Sequence, residues 1–144
     1  MNPDETIFIL ARDKFDLYLI ERSLQYGDLR NPIRVSRHAH EAACYFHGYG
    51  VYADRQAYPL PGLLILDLQL PQDGSFTLLE WLRAQRAFHD LSIIGTGVWR
   101  FSPEVQRAFE RGLNAYFRIP SEIMSLVAYT QQLGAVEQFG PLPA

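Results

Sequence analysis

Residues 63–74 read Leu-Leu-Ile-Leu-Asp-Leu-Gln-Leu-Pro-Gln-Asp-Gly, and this stretch decides the fold. Its four leading apolar residues predict a strand, 63–66, that is covered on both faces, as strands in parallel sheets are. Asp67 closes this strand, and an acid at the end of so apolar a run is costly unless it has a use. Residues 70–74 have the composition of a turn, and residues 76–85 then show helical spacing of leucines. The stretch therefore predicts a strand, a turn and a helix, with a candidate functional carboxylate at the end of the strand.

The same alternation of strand and helix continues in both directions along the chain. The other predicted strands are 7–10, 33–36, 93–94 and 115–117. The other predicted helices are one capped by Asp13 and ended by Gly27, one over 38–46, one from Ser102 to Gly112, and one after Ser121. Strands that alternate with helices favour an α/β fold with a parallel sheet. We therefore expect five β/α units forming a doubly wound five-stranded parallel sheet with helices on both faces.

The length of the chain limits how many domains it can form. A chain of 144 residues can bury one core and is too short for two ordinary ones. The five units use residues from about 6 to 137, followed by a short tail rich in Gly and Pro. We expect a single domain over 1–144.

Composition excludes several classes of function. The 13 basic residues are scattered and outnumbered by 16 acidic ones, so no basic surface for nucleic acid is expected. The most apolar stretch, 60–70, is interrupted by Pro61 and Asp67 and is too short to cross a membrane. Cys44 is the single cysteine and cannot close an intramolecular disulfide. With a polar, acidic start to the chain, these features predict a cytoplasmic protein.

Polar side chains follow several of the predicted strands. They are Arg12 and Asp13 after the first strand, Asp67 after the third, and Thr96 after the fourth, while Ile119 and Pro120 follow the fifth. Ligands of open parallel sheets bind outside the carboxyl ends of the strands. These residues are therefore expected to lie close together at one edge.

Five motifs in this order resemble the receiver domain of response regulators in two-component signalling. They are Asp67, the Leu70-Pro71 step with Asp73-Gly74, Thr96, the run Gly112-Leu113-Asn114-Ala115-Tyr116, and Pro120. The resemblance implies the flavodoxin-like receiver fold and a role in a phosphorelay. It also implies that Asp67 accepts a phosphoryl group from a histidine kinase, that Thr96 and Tyr116 are the switch hydroxyl and aromatic, and that a cis peptide bond precedes Pro120.

A lengthened loop containing residues 50–54 is similar to the stand-alone receivers that partner phytochrome-type histidine kinases. This likeness implies a histidine kinase and a downstream protein target as partners. It also implies a homodimer through the fourth helix, fifth strand and fifth helix. That region is rich in aromatic residues, namely Phe101, Phe109, Phe117 and Tyr129.

The proposed site departs from the family pattern at three positions. Ala11 and Arg12 stand where the family carries two metal-binding acids, and Ile119 stands where it carries a lysine. Mg²⁺ prefers hard oxygen ligands, so only Asp67 and, more weakly, Asp13 are left as candidate ligands and Mg²⁺ binding is doubtful. Arg12 is expected to occupy the space of the metal. The prediction is a signalling module, not an enzyme, whose contacts are either phosphate-responsive or independent of phosphorylation.

Other interpretations of the same residues stay open. Thr96 could bond only to local backbone, Tyr116 could be an ordinary strand aromatic, and from sequence alone a trans Pro120 is the safer expectation. A phosphatase-like enzyme with Asp67 as nucleophile is one alternative function, but Gln69 stands where a second acid is needed. A flavodoxin-like nucleotide-binding domain is another, although no Gly-rich loop follows the first strand.

Overall fold

The computed structural model describes residues 1–100 and 102–138, and this part of the chain forms a five-stranded sheet flanked by helices. The strands are Ile7–Leu10 (β1), Ile33–Ser36 (β2), Leu63–Asp67 (β3), Ser92–Gly97 (β4) and Ala115–Arg118 (β5). The helices are Lys14–Tyr26 (α1), Ala39–His47 (α2), Gly74–Ala84 (α3), Pro103–Glu110 (α4) and Ile123–Gln138 (α5). All neighbouring strands are parallel, in the order β2-β1-β3-β4-β5. The doubly wound parallel sheet that the sequence predicts is confirmed.

Alternate side chains of the central strands pack into two cores, one on each face of the sheet. Ile7 and Ile9 of β1 and Leu63 and Ile65 of β3 pack with α1 and α5. The intervening residues of the same strands, such as Leu64, pack with α2, α3 and α4. Successive side chains of a strand point to opposite faces, so an unbroken apolar run fills both cores at once.

Two elements depart from their predicted bounds by two residues or more. β4 spans Ser92–Gly97 instead of residues 93–94, because backbone pairing with β3 and β5 extends it through two glycines that have low strand propensity. The glycine at 95 serves packing, since a Cβ there would lie 2.8 Å from the side chain of Leu113. α3 begins at Gly74, two residues before the predicted start. Phe101 and the predicted tail from residue 139 lie outside the described residues.

The segment between α2 and β3 is folded onto α2 by one side chain. Arg55 donates hydrogen bonds to the carbonyl groups of Tyr45 (2.8 Å), Phe46 (3.0 Å) and Tyr58 (3.2 Å). The rings of Tyr45 and Tyr58 pack edge to face, with their centroids 6.2 Å apart. Arg55 thus binds carbonyl groups in the last turn of α2, where the Tyr45 carbonyl also accepts from the N–H of the C-cap residue Gly48 at 3.2 Å. The lengthened loop is therefore an ordered unit and not an open connection.

Within the described part of the chain, no helix has the length and apolar character needed to cross a membrane.

Candidate functional site

Asp67 and Thr96 lie side by side at the carboxyl edge of the sheet. Asp67 is the last residue of β3 and pairs in register with Thr96 of β4. Both are buried, with exposed fractions of 6% and 4%. The predicted proximity of these two residues is confirmed, and it follows from the parallel order of the strands.

The carboxylate of Asp67 accepts hydrogen bonds from two backbone N–H groups. Arg12 N–H donates to Oδ2 at 3.2 Å, and Gln69 N–H donates to Oδ1 at 2.8 Å. Hydrogen bonds to an ionised acceptor are stronger than those between neutral groups. Each carboxylate oxygen therefore already has a donor from this chain, one from the β1–α1 segment and one from the turn after β3.

Ser75 holds that turn in place, and sequence reasoning did not identify it. Its hydroxyl donates to the carbonyl of Asp67 at 2.6 Å and accepts from the N–H of Leu70 at 3.3 Å. The side chain is almost fully buried, with 1% exposed. The only signal in the sequence is a small hydroxyl residue directly after the predicted turn, which is too common to mark a site.

The same turn is connected to α4 by an ion pair. Gln72 and Asp73 both adopt left-handed backbone conformations, with φ values of 59° and 58°. The Asp73 carboxylate accepts two hydrogen bonds from Arg107 of α4, at 3.0 and 3.3 Å. The guanidinium of Arg107 also lies over the ring of Phe76, 4.1 Å from its centroid. α4 buries two of its residues, and this exposed contact adds a surface attachment to their packing.

Arg12 and Asp13 have different roles from those of metal ligands. Arg12 contacts Asp67 with its backbone N–H, while its side chain is exposed and its carbonyl accepts from Arg37 at 3.0 Å. The contact with Asp67 that the structure shows is made by the backbone, and the expectation that the Arg12 side chain occupies the space of a metal stays a prediction. Asp13 is the N-cap of α1 and accepts from the N–H of Phe15 at 2.7 Å.

The residues present do not fit a divalent cation. Within residues 1–100 and 102–138, no three His, Cys, Asp or Glu side chains are arranged to hold a metal ion. The two candidate ligands have other partners, because Asp67 accepts two backbone N–H groups and Asp13 caps a helix. No step of the chemistry is therefore assigned to a metal.

A third carboxylate, Asp16, faces the same region and was not predicted. Burial raises the pKa of Asp16, and the negative charges of Asp13 and Asp67 raise it further, while Arg12 opposes them. The side chain is half-buried in the first turn of α1. Its position three residues after an N-cap is typical of helix starts, so the sequence offered a structural explanation and no functional one.

The remaining predicted residues belong to β4, to β5 and to the segment directly after β5. The backbone carbonyl of Thr96 accepts from Leu68 at 2.9 Å, so backbone pairing extends past Asp67. The Tyr116 hydroxyl donates to the carbonyl of Trp99 at 2.7 Å, and burial raises the pKa of Tyr116. Ile119 is buried, and the bond between Ile119 and Pro120 is cis, as the family resemblance implied.

Arg118 is not a substitute for the missing lysine. Its guanidinium donates to Glu122 at 3.2 Å, and its backbone N–H donates to the same carboxylate oxygen at 2.8 Å. The hydrogen bonds from Arg118 hold the pKa of Glu122 below its usual range.

Comparison with solved structures identifies the architecture. A response regulator in red light signaling of R. palustris superposes with a TM-score of 0.80 at 20% identity, covering 97% of this chain and 99% of that one. The bacteriophytochrome response regulator RtBRR gives a TM-score of 0.78 at 27% identity, covering 91% and 78%. The chain has the fold of a response-regulator receiver domain. Receiver domains of stand-alone response regulators, among them phytochrome response regulators, are thus its structural neighbours.

Sequence comparison adds little to this assignment of the receiver fold. No family model matches the chain, and no curated protein matches it. The response regulator Rcp1, another structural neighbour, is known in a Mn²⁺-bound form; its TM-score is 0.75 at 19% identity, with 97% and 99% covered. Since Ala11 and Arg12 replace the acids expected after β1, metal binding by that neighbour does not carry over to this receiver.

Proposed function

We propose that this chain is a single-domain, stand-alone receiver that works in two-component signalling by binding protein partners, without phosphorylation of Asp67. The observation that carries the proposal is the combination of a receiver fold with an acceptor aspartate whose two oxygens are bonded to backbone N–H groups of Arg12 and Gln69. Phosphoryl transfer relies on cations that neutralise developing charge. In the family pattern, two acids hold the metal and a lysine supplies a further positive charge. This chain has Ala11 and Arg12 in place of the two acids and Ile119 in place of the lysine.

The expected partners are a histidine kinase, of the phytochrome-associated type, and a downstream protein target. The support is the similarity to phytochrome response regulators over nearly the whole chain. The absence of a basic run in the sequence supports binding to protein and not to nucleic acid. The single cysteine, which has no partner for an intramolecular disulfide, supports a cytoplasmic location.

The surface of α4, β5 and α5 is the proposed binding surface for the downstream target. Phe109 on α4 is 44% exposed there. Phe117 and Tyr129 are half-buried and pack on each other, with ring centroids 5.7 Å apart. Exposed apolar area on this face is therefore smaller than the sequence suggests, and the homodimer expected through it stays a prediction.

An enzymatic role is less well supported. In a phosphatase-like enzyme, a second carboxylate two residues after the nucleophile acts as general acid and base. Gln69 occupies this position, and an amide cannot exchange a proton in that way. For nucleotide binding, the segment after β1 would need backbone N–H groups free for phosphate, but the Arg12 N–H is bonded to Asp67.

Intact-mass measurement after incubation with Mg²⁺ and a small phosphodonor tests the proposal. The unmodified chain is expected to gain no phosphoryl group. A variant with Ala11→Asp, Arg12→Asp and Ile119→Lys restores the family pattern and is expected to gain one. Adding Asp67→Asn to that variant should abolish the gain, which assigns the modification to this carboxylate.

A phosphoryl adduct on the unmodified chain that disappears in Asp67→Asn would refute phosphorylation independence. Circular dichroism of every variant is the control for folding. The partner proposal has a separate test, which compares the affinity of a histidine kinase for the unmodified chain and for Asp67→Asn. If binding does not depend on phosphate, the two affinities should be the same.

A further inference from the structure

α1 carries an aromatic stripe that faces solvent. We define the α1 stripe as Phe15, Tyr18, Arg22 and Tyr26. The three rings are 82%, 62% and 87% exposed. At about 100° per residue, the four positions fall within roughly 80° of the helix circumference. Aromatic side chains that expose this much surface in a row usually mark an interaction site.

The α1 stripe is not part of the packing of the domain. The core-facing residues of the same helix are Leu17, Ile20 and Leu24, on the opposite side. The guanidinium of Arg22 lies over the ring of Tyr18, 5.4 Å from its centroid, which holds both side chains on the exposed face. One face of that guanidinium remains for a second ring.

The α1 stripe is complementary to itself when two helices run in opposite directions. From the amino end its positions read aromatic, Tyr, Arg, aromatic, and from the carboxyl end they read aromatic, Arg, Tyr, aromatic. When two copies run in opposite directions, an aromatic ring therefore meets an aromatic ring and Tyr meets Arg. A two-fold axis near the middle of the helix would place Phe15 of one copy against Tyr26 of the other. It would also place Tyr18 against Arg22, which adds two cation–π contacts between the copies.

Electrostatics favour this antiparallel arrangement over a parallel one. Two parallel α1 helices would bring Arg22 against Arg22, while the amino ends carry balanced charges, with Arg12 and Lys14 beside Asp13 and Asp16. An antiparallel pair avoids the contact between the arginines, and it places the positive end of each helix dipole beside the negative end of the other. The charges of the α1 surface therefore select the orientation that its aromatic side chains also select.

A concavity lies where the end of the second helix would sit. It measures about 530 Å³ and is lined by Arg22, Ser23, Gln25, Tyr26 and Met124. Met124 on α5 is 58% exposed. In the antiparallel pair, Phe15 of the other copy approaches this concavity, so an exposed ring has an apolar site on the partner molecule.

The area available reaches the lower limit of specific interfaces. An aromatic side chain can bury about 150–250 Å², so three rings per copy at their present exposures contribute at most roughly 900 Å² in total. Contacts from Arg22 and Met124 bring the sum to the order of 1,000 Å², where specific interfaces begin. We propose that the α1 stripe is a homodimer interface in which two copies of this chain pair antiparallel, with Phe15 against Tyr26 and Tyr18 against Arg22.

Sedimentation velocity of the full chain, from micromolar to near-millimolar concentration, measures the dimer. Phe15→Lys and Tyr26→Glu should each weaken the dissociation constant on the order of tenfold or more, since each removes an aromatic contact twice. The double variant carrying both substitutions should recover most of this loss. In it, each introduced lysine faces an introduced glutamate of the other copy, whereas within one helix the two positions lie about 16 Å apart.

Matched controls separate this interface from the rest of the surface. Val51→Glu changes a residue that is 66% exposed on the lengthened loop and should leave the dimer unchanged. Phe109→Glu changes the α4 surface, and a loss of dimer there together with none from Phe15→Lys would overturn the proposal in favour of the α4 face. A chain that stays monomeric throughout, or a double variant no better than the single ones, would also overturn it. None of these outcomes depends on phosphoryl chemistry at Asp67.

Discussion

Ser75→Ala removes a single oxygen atom and should nevertheless lower the free energy of unfolding of the domain substantially. The hydroxyl of Ser75 donates to the carbonyl of Asp67 at 2.6 Å and accepts from the N–H of Leu70 at 3.3 Å, and only 1% of the residue is exposed. Removing the hydroxyl takes this hydrogen-bond partner away from the carbonyl of Asp67 and from the N–H of Leu70, in the buried surroundings of Ser75. A buried polar group that loses its hydrogen bond costs about 1–3 kcal/mol.

The longer of the two hydrogen bonds contributes less, so the combined loss is about 2–4 kcal/mol. Alanine has a better helix propensity than serine, which returns up to ~0.5 kcal/mol in the first turn of α3. The expected net loss is about 1.5–4 kcal/mol, a large part of the roughly 5–15 kcal/mol that stabilises a typical domain.

Urea unfolding followed by tryptophan fluorescence measures this difference. The midpoint should fall while the slope of the transition stays constant, since the surface exposed on unfolding is unchanged. Thr77→Ala is the matched control: it removes a hydroxyl from the same helix that donates to the carbonyl of Asp73 at 3.1 Å but is exposed to water. This control should be neutral within ~0.5 kcal/mol. A loss below ~0.5 kcal/mol for Ser75→Ala would refute the structural role of the buried hydroxyl.

Two further predictions concern charges near the site. Asp73→Asn and Arg107→Gln should each speed hydrogen exchange in both the 71–73 turn and α4, and the double variant should match the single ones because they break the same contact. Glu80→Gln, which removes the ion pair between Glu80 of α3 and Arg111 directly after α4, should not affect exchange in the turn. Burial and neighbouring carboxylates raise the pKa of Asp16, so its contribution to stability is full below the ordinary carboxyl pKa and is lost as pH rises through the raised value. Asp16→Asn should therefore raise the thermal unfolding midpoint at neutral pH, with the gain vanishing in acid; an equal gain at all pH values would contradict this.

The fold was predictable because its strongest signals are local. Four apolar residues before Asp67, and the regular alternation of strand and helix, are enough to require a parallel sheet with two covered faces. The parallel order then places Asp67 beside Thr96 without further information. β4 was underestimated because Gly95 and Gly97 do not resemble strand residues, although Leu113 and Tyr116 leave no room for a side chain at either position.

The site was less predictable because backbone groups form much of it. The donors to Asp67 are the N–H groups of Arg12 and Gln69, and any residue except proline has such a donor. The sequence therefore suggested the side chain of Arg12 as the contact, when the geometry of the chain uses its main chain. Ser75 and Asp16 were missed for a related reason, since each also has an ordinary role at the start of a helix.

The Arg55 hydrogen bonds have a consequence for how the molecule comes apart. Because the Arg55 side chain joins the carbonyl groups of Tyr45, Phe46 and Tyr58, it fixes the segment between α2 and β3 to the end of α2. Native-state protease cleavage in this segment would need these hydrogen bonds to break first, so its rate should follow the free energy of that local opening. A tag or a sensor peptide inserted next to Arg55 would therefore compete with these hydrogen bonds, although the length of the segment makes it look like a natural insertion site.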